Sequence, residues 1–286
     1  NWTADGNSTL SLKEGNIVKT DIKSHNEIVL VKKEQLIPAG ATSPLRFNIY
    51  SFSPDYKMLL IFTNTAKVWR YHTRGDYWVL NLVSNQLTQL GKTLPSQSLM
   101  FAKISPDGRQ AAYVSDYNIY SEDLSTHSIK ALTVDGTRKF INGTFDWVYE
   151  EELGCRDGFR WSPDSKKIAF WQVDARKIRD YYMLNTTDSV YSRIIPVEYP
   201  KVGWPPSSVR IGVVTVDNAS IKWMDVPGDP EEHYIPRMEW ADNSIEVVLQ
   251  QLNRKQNESK LFYCDVNTGA ARTFYTEDDK ACIDIK

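Results

Sequence analysis

Cysteine is scarce in this chain: Cys155, Cys264 and Cys282 are the only three in 286 residues, too few and too far apart for a disulfide framework. None sits in a Cys-x-x-Cys or Cys/His spacing, so neither a metal nor any other cofactor is expected, and the thiols read as buried or free structural groups. An excess of one charge is missing too. The formal net charge is −2, and the densest basic cluster, Arg176, Lys177 and Arg179, is no footprint for nucleic acid. No apolar run approaches the length of a membrane span, and the opening residues "NWTADGNSTL" carry neither the charged nor the apolar region of a signal peptide. A Gly-x-Ser-x-Gly nucleophile elbow is absent, since "GNSTL" at Gly6 lacks its second glycine. Histidine is limited to His25, His72, His127 and His233, all among strand and turn patterns where a structural or solvated role is expected.

What the chain has in quantity is repetition. The phrases "YSFSPDYKMLLIF", "AKISPDGRQAAYV", "FRWSPDSKKIAFW" and a degenerate "MEWADNSIEVVLQ" place Ser53, Ser105, Ser162 and Ala241 about 50–80 residues apart. Each reads as strand, turn, strand: Pro presets φ, Asp bonds back to the backbone, and β-forming residues flank both sides. Between them recurs a second unit, "DYWVLNLVSNQLTQL", "NIYSEDLSTHSIKAL" and "KLFYCDVNTGAARTF", in which an aromatic-rich strand ends at Asn or Asp, turns, and returns. Four strands per roughly 50 residues is the blade of a β-propeller. A β-sandwich would not repeat the same turn phrase in each strand pair. With "LSLKEGNIVKTDIKSHNEIVLVKKEQL" as a further hairpin set, the inventory is an all-β chain of four to five blades, part of a ring rather than a closed one. A hydrophobic content of 41% is enough to bury a large core, as one big domain or two smaller ones.

Six Asn-x-Ser/Thr sequons, at Asn1, Asn7, Asn142, Asn185, Asn218 and Asn257, would mark glycosylated surface loops if the protein crossed a eukaryotic secretory pathway. More pointed is "FDWVYEEELG", which sets Glu150, Glu151 and Glu152 side by side among aromatic and aliphatic residues. Asp146 can cap a short helix and Gly154 can end it, leaving about two turns from Trp147 to Leu153. At 100° per residue, Glu151 falls between Trp147 and Val148, and Glu152 between Val148 and Tyr149, so the helix has no clean polar face. At least one glutamate must then enter an aromatic-lined space and find a partner there.

"DWVYEEELG", "FRWSPDSKKIAFWQVD" just after it, "VEYPKVGWPPSSVRIGVV", and "VWRYHTRGDYWVLNL" upstream occur in an order and spacing that resemble the N-terminal propeller region of the dipeptidyl peptidase IV family. These are serine exopeptidases of the prolyl oligopeptidase group, and "DGFRWSPD" and "RDYYMLNTTDS" resemble the bacterial branch more than the animal one. The likeness covers most of the chain and is weak before about Leu45. It implies an eight-bladed propeller capped by an α/β-hydrolase domain that carries the catalytic serine, aspartate and histidine. Residues 1–286 would then be a partial propeller with no catalytic residue of their own. Glu151 and Glu152 match the pair that binds the free α-amino group of a peptide substrate, Glu150 is the neighbour that points elsewhere, and Arg70 matches the arginine that holds the carbonyl of the first peptide unit. Trp147 and Tyr149 are expected to support the helix. Read without the resemblance, Arg70 between two aromatic residues is a cation–π or salt-bridge residue.

The resemblance also implies partners: a peptide with a free N-terminus, cleaved after Xaa-Pro or Xaa-Ala, the hydrolase domain of the same protein, and a second copy in a homodimer. The stretch "DNASIKWMDVPGDPEEHYIP" is expected to form the arm toward that copy, with Trp223 and Met224 as exposed anchors. A periplasmic or secreted setting is expected. The competing class is a propeller kept for protein interaction after its hydrolase was lost or inactivated. A free-standing propeller of the translocation type shares the "SPDG" phrase but leaves "DWVYEEE" unexplained.

Overall fold

The computed structural model describes residues 2–3 and 5–285. The chain divides into two compact units, Asn1–Ile104 with Leu124–His127, and Ser105–Asp123 with Ser128–Lys286. Both are built from antiparallel sheet.

In the first unit, β1 (Ser8–Lys13), β2 (Asn16–Asp21) and β3 (Glu27–Val31) form a three-stranded sheet, as the N-terminal hairpin pattern predicts. A second sheet follows the order β4 (Phe47–Phe52), β5 (Met58–Val68), β6 (Tyr71–Asn81) and β7 (Gln86–Gln89), and β8 (Leu99–Ile104) pairs with the start of β6. Alternate apolar residues of both sheets, among them Leu10, Ile17, Val31, Leu59, Ile61 and Leu80, close into one core. Gly75 lies where a Cβ would stand 2.6 Å from the Phe62 ring and 2.7 Å from the Thr63 carbonyl, so no larger residue fits this crossing of β5 and β6.

In the second unit, β9 (Gln110–Ser115), β10 (Asn118–Asp123) and β11 (Ile129–Ala131) are a meander. Next come β12 (Phe140–Asn142), the helix α1 (Trp147–Leu153), β13 (Phe159–Trp161) and β14 (Lys167–Asp174). Strand β14 is central: β12 and β13 pair with its two halves on one side, and β17 (Ser208–Thr215) lies on the other with β18 (Ile221–Trp223) beyond it. That is why its run Ile168–Val173 is buried throughout instead of alternating. The last sheet runs in simple order through β19 (His233–Trp240), β20 (Glu246–Asn253), β21 (Glu258–Asp265) and β22 (Ala271–Asp278).

The repeated phrase earns its recurrence through one local network. Ser53, Ser105 and Ser162 donate to Asp55, Asp107 and Asp164 Oδ1 at 2.7, 2.6 and 2.6 Å, and their hydroxyls accept from the backbone N–H of Met58, Gln110 and Lys167 at 3.0, 3.0 and 2.9 Å. Each aspartate also accepts from the N–H two residues on, so the side chains supply the partners that a tight turn denies its own backbone. In the degenerate copy, Asn243 Oδ1 takes both roles, accepting from Ile245 and Glu246 at 2.8 and 2.7 Å. Successive turns are also stapled: Ser165 Oγ accepts from Asp107 N–H, and Ser244 Oγ from Asp164 N–H, each at 3.0 Å.

Two expectations are corrected. Met224 is no exposed anchor: it is 6% exposed and belongs to the second unit's core. Trp223 is half-buried, with the Arg210 guanidinium 3.6 Å from its ring centroid and Phe170 edge-on at 5.7 Å. The stretch from Asp217 to Pro236 therefore forms no arm standing apart: β18 and the start of β19 pair within the sheets of the second unit, joined by an irregular segment. The strands that stand apart are β15 (Asp180–Asn185) and β16 (Arg193–Glu198), which among the described residues pair only with each other; they expose Tyr182, Leu184 and Ile194, and the loop between them exposes Tyr191. The sequon at Asn142 is no surface loop either, because its side chain is fully buried and donates to Asp135. Asn1 lies outside the described residues.

Candidate functional site

Helix α1 is fixed from both ends by its own sequence. Asp146 keeps an extended backbone, and its Oδ1 accepts from Tyr149 N–H at 3.1 Å while Oδ2 accepts from the Ser207 hydroxyl at 2.7 Å. Burial pushes the Asp146 carboxyl above its ordinary pKa, against the lowering pull of those two bonds. At the other end Gly154 enters the left-handed region at φ 66°, where its N–H returns to the Tyr149 carbonyl. Nothing lies within 4 Å of where a Cβ would be, so conformation and not space selects glycine there.

Between these caps the helix turns one face inward. Tyr149 is fully buried, its hydroxyl accepts from Ile235 N–H at 3.1 Å, and its ring stacks on Phe145 at 5.6 Å. Leu153 is buried beside it. Glu150 is buried as well, 3.3 Å from Arg156 Nε in an ion pair that lacks hydrogen-bond alignment. Burial pushes the Glu150 pKa up and the Arg156 charge pulls it back. The glutamate that needed an interior partner is thus Glu150. Glu151 is half-buried and Glu152 exposed, so the other two carboxylates lie toward the solvent side of the same turn. Trp147 packs at 4.6 Å against the ring of Tyr199, which bears in turn on Tyr181 at 5.9 Å.

Arg70 stands in the first unit. It occupies the two-residue turn that joins β5 to β6, after Trp69 at φ 54°, with Val68 and Tyr71 as the closing pair. Its side chain is exposed, as are Trp69 and Tyr71. The structure therefore brings Glu151 and Glu152 together on one helix and sets Arg70 at a hairpin tip of the other unit.

Chemically, two adjacent carboxylates offer several acceptor sites to a group with several donors, and an ammonium has three. A guanidinium at a hairpin tip offers a planar fork to a carbonyl or carboxylate. Among the described residues no group of three or more His, Cys, Asp or Glu is placed to hold a metal ion. Burial pushes the Cys155 thiol up to about 11 and Cys264 to about 12, and Cys155 spends its proton on the Pro236 carbonyl at 3.2 Å, so neither is a nucleophile at neutral pH. Burial lowers the pKa of His233, whose Nδ1 is bonded to Gln251 Nε2 at 3.1 Å.

Three supports of the helix escaped the sequence: Ser207 on Asp146, Ile235 on Tyr149, and Tyr199 under Trp147. Each contact joins residues more than 50 positions apart, and no local pattern signals it. Arg156, just past the end of the helix, is a nearby cation that the sequence shows, although no local pattern marks which glutamate it meets.

The family model of the dipeptidyl peptidase IV N-terminal region matches residues 53–286. Among curated proteins, probable dipeptidyl-aminopeptidase B of Uncinocarpus reesii is 26% identical over 273 residues, which cover 91% of this chain and 30% of the fungal protein. Inactive dipeptidyl peptidase 10 of Mus musculus is 27% identical over 281 residues, 96% of this chain and 34% of the mouse protein. Among solved structures, dipeptidyl peptidase 4 of Porphyromonas gingivalis superposes with a TM-score of 0.89 at 27% identity, over 98% of this chain and 40% of that one. The chain spans about a third of the length of these curated relatives. Its antiparallel sheets are the blades of a partial β-propeller.

Proposed function

Because the chain belongs to the dipeptidyl peptidase IV N-terminal region family, we propose that it is the substrate-gripping propeller of a serine exopeptidase that releases N-terminal dipeptides, with the catalytic triad in a separate α/β-hydrolase domain of the parent protein. The observation that carries this is the pairing of Glu151 and Glu152 on the solvent side of a helix whose remaining face is locked by Asp146, Tyr149, Glu150 and Gly154. Held between those carboxylates, a peptide's α-ammonium fixes the register of the chain, and only the second peptide bond reaches a nucleophile. A blocked amine forfeits charge-assisted bonds worth roughly 1.5–3 kcal/mol each. The family resemblance alone gives Arg70, at the hairpin tip of its own unit, the role of holding the carbonyl of the first peptide unit. Activity on Xaa-Pro or Xaa-Ala peptides, homodimer formation through the exposed β15–β16 hairpin, and a periplasmic or secreted setting belong to the same proposal.

A second reading is favoured by one observation: a relative 27% identical over most of the chain is named an inactive dipeptidyl peptidase. On that reading the propeller is an interaction module. The two separate on the full-length protein assayed with a chromogenic Gly-Pro substrate and its N-acetylated form, with and without a serine-directed organophosphate. The peptidase reading expects release from the free amine alone, abolished by the reagent. Equal turnover of both substrates would overturn the amine clamp, and no turnover of either would favour the module.

A further inference from the structure

The second unit holds a cleft of about 450 Å3 formed by the segment before β15, the first residues of β15, and the segment 199–205. That volume falls in the range of roughly 300–1,000 Å3 typical of small-ligand sites. Its walls are rings. Tyr181, Tyr182, Tyr199 and Trp204 line it, and they remain 50%, 66%, 40% and 56% exposed, so each still presents ring surface to an occupant although Tyr199 also packs on Trp147 and Tyr181. The charges around it are unevenly satisfied. Lys177 pairs with Glu231, and Asp180 is held by Arg138 at 3.0 Å and Lys139 at 2.8 Å. Arg179 and Lys201 also line the cleft, are exposed, and have no carboxylate partner among the described residues; the Lys201 ammonium has only the Tyr181 ring, 5.9 Å away.

Open aromatic faces take a flat ring by stacking, and cations without counter-ions take an anion, most strongly a carboxylate in the fork of an arginine. The one acid in the cleft, Asp180, is neutralised by two cations of its own and does not repel such a ligand. We propose that this cleft binds a carboxylate carrying an aromatic ring, with the ring against the tyrosines and Trp204 and the carboxylate at Arg179 and Lys201. Free aromatic acids and the C-terminal residue of a peptide share this chemistry. The site lies one ring from α1, since Tyr199 packs on Trp147, and it does not depend on the amine clamp.

Isothermal titration of the full-length protein with N-acetyltyrosine, N-acetyltyrosinamide and the blocked peptide N-acetyl-Gly-Gly-Tyr tests the proposal, because none of these has the free amine that the glutamates would grip. Saturable binding of the acids is expected. The amide should bind at least tenfold more weakly, added salt should weaken the acids, and the double variant Arg179→Gln/Lys201→Gln should lose tenfold or more with its thermal melting unchanged. Glu152→Gln should leave this binding as it is. Tighter binding of the peptide than of N-acetyltyrosine would identify a peptide end as the ligand, and equal binding a free acid. No saturation by 10 mM of either acid, or equal affinity for acid and amide, would overturn the site.

Discussion

Replacing Asp146 separates what its charge does from what its shape does. In Asp146→Ala the helix loses its N-cap, worth about 1 kcal/mol, and the buried Ser207 hydroxyl loses its acceptor, worth roughly 1–3 kcal/mol. Part of that is returned, because a buried carboxylate whose pKa is raised is itself costly to keep ionised. A net loss of about 2 kcal/mol in the local stability of α1 is expected. Asp146→Asn keeps an oxygen for Tyr149 N–H and turns an amide to the Ser207 oxygen, which can rotate to accept, so its loss should stay below about 1 kcal/mol. Hydrogen exchange followed by mass spectrometry on the peptide spanning Trp147–Gly154 of the full-length protein reads this directly. The alanine variant should exchange about 30-fold faster than wild type, and the asparagine variant within about fivefold of it.

The pH dependence has a fixed sign. Because the folded pKa of Asp146 lies above its ordinary 3.8, the folded state holds the proton longer than the unfolded one. Its contribution to protection is therefore fullest below the unfolded pKa and declines as pH rises through the raised folded pKa. Asp146→Asn removes that decline. Equal damage from asparagine and alanine would mean that the negative charge, and not the cap, holds the helix.

Tyr149→Phe should cost about 1–3 kcal/mol on the same exchange measurement, since it leaves the buried Ile235 N–H without its acceptor; a neutral result would show that another group takes over. Met224→Ala should destabilise the second unit by about 2–5 kcal/mol, seen as a lower melting temperature, and a change near zero would return Met224 to the surface. Leu184→Ser/Ile194→Ser, a cross-strand pair of the exposed β15–β16 hairpin away from the cleft, should halve the mass found by light scattering at micromolar concentration; an unchanged dimer, or a wild-type monomer, would contradict the assignment of that hairpin to the dimer contact.

How much of this was legible in the sequence depended on how local the physics was. The Ser-Pro-Asp turns were legible because each network closes within six residues, from Ser53 to Met58 for instance. Helix α1 was legible to the residue, since its start and stop are single side chains, Asp146 and Gly154. The burial of Glu150 and not its neighbours was beyond a helical wheel, because it is decided by Arg156 and by the strands beneath Tyr149. Trp223 and Met224 were misplaced for a related reason: a three-residue edge strand such as β18 is too short to show period-two alternation, so nothing local marks which side is inward. The β15–β16 hairpin shows the opposite limit. "DYYMLN" has the composition of a core strand, yet among the described residues the hairpin pairs only with itself and its apolar side chains are exposed.

The amine clamp is the central claim, and steady-state kinetics of three single variants on an unblocked Gly-Pro substrate test it most directly. Glu151→Gln and Glu152→Gln should each raise KM and lower kcat/KM by roughly one to three decades, the loss of one or two charge-assisted bonds to an ammonium. Glu150→Gln, whose partner is Arg156 inside the fold, should change kcat/KM far less and act on stability instead. Unchanged kinetics in Glu151→Gln and Glu152→Gln, or a loss in Glu150→Gln as large as theirs, would contradict the claim.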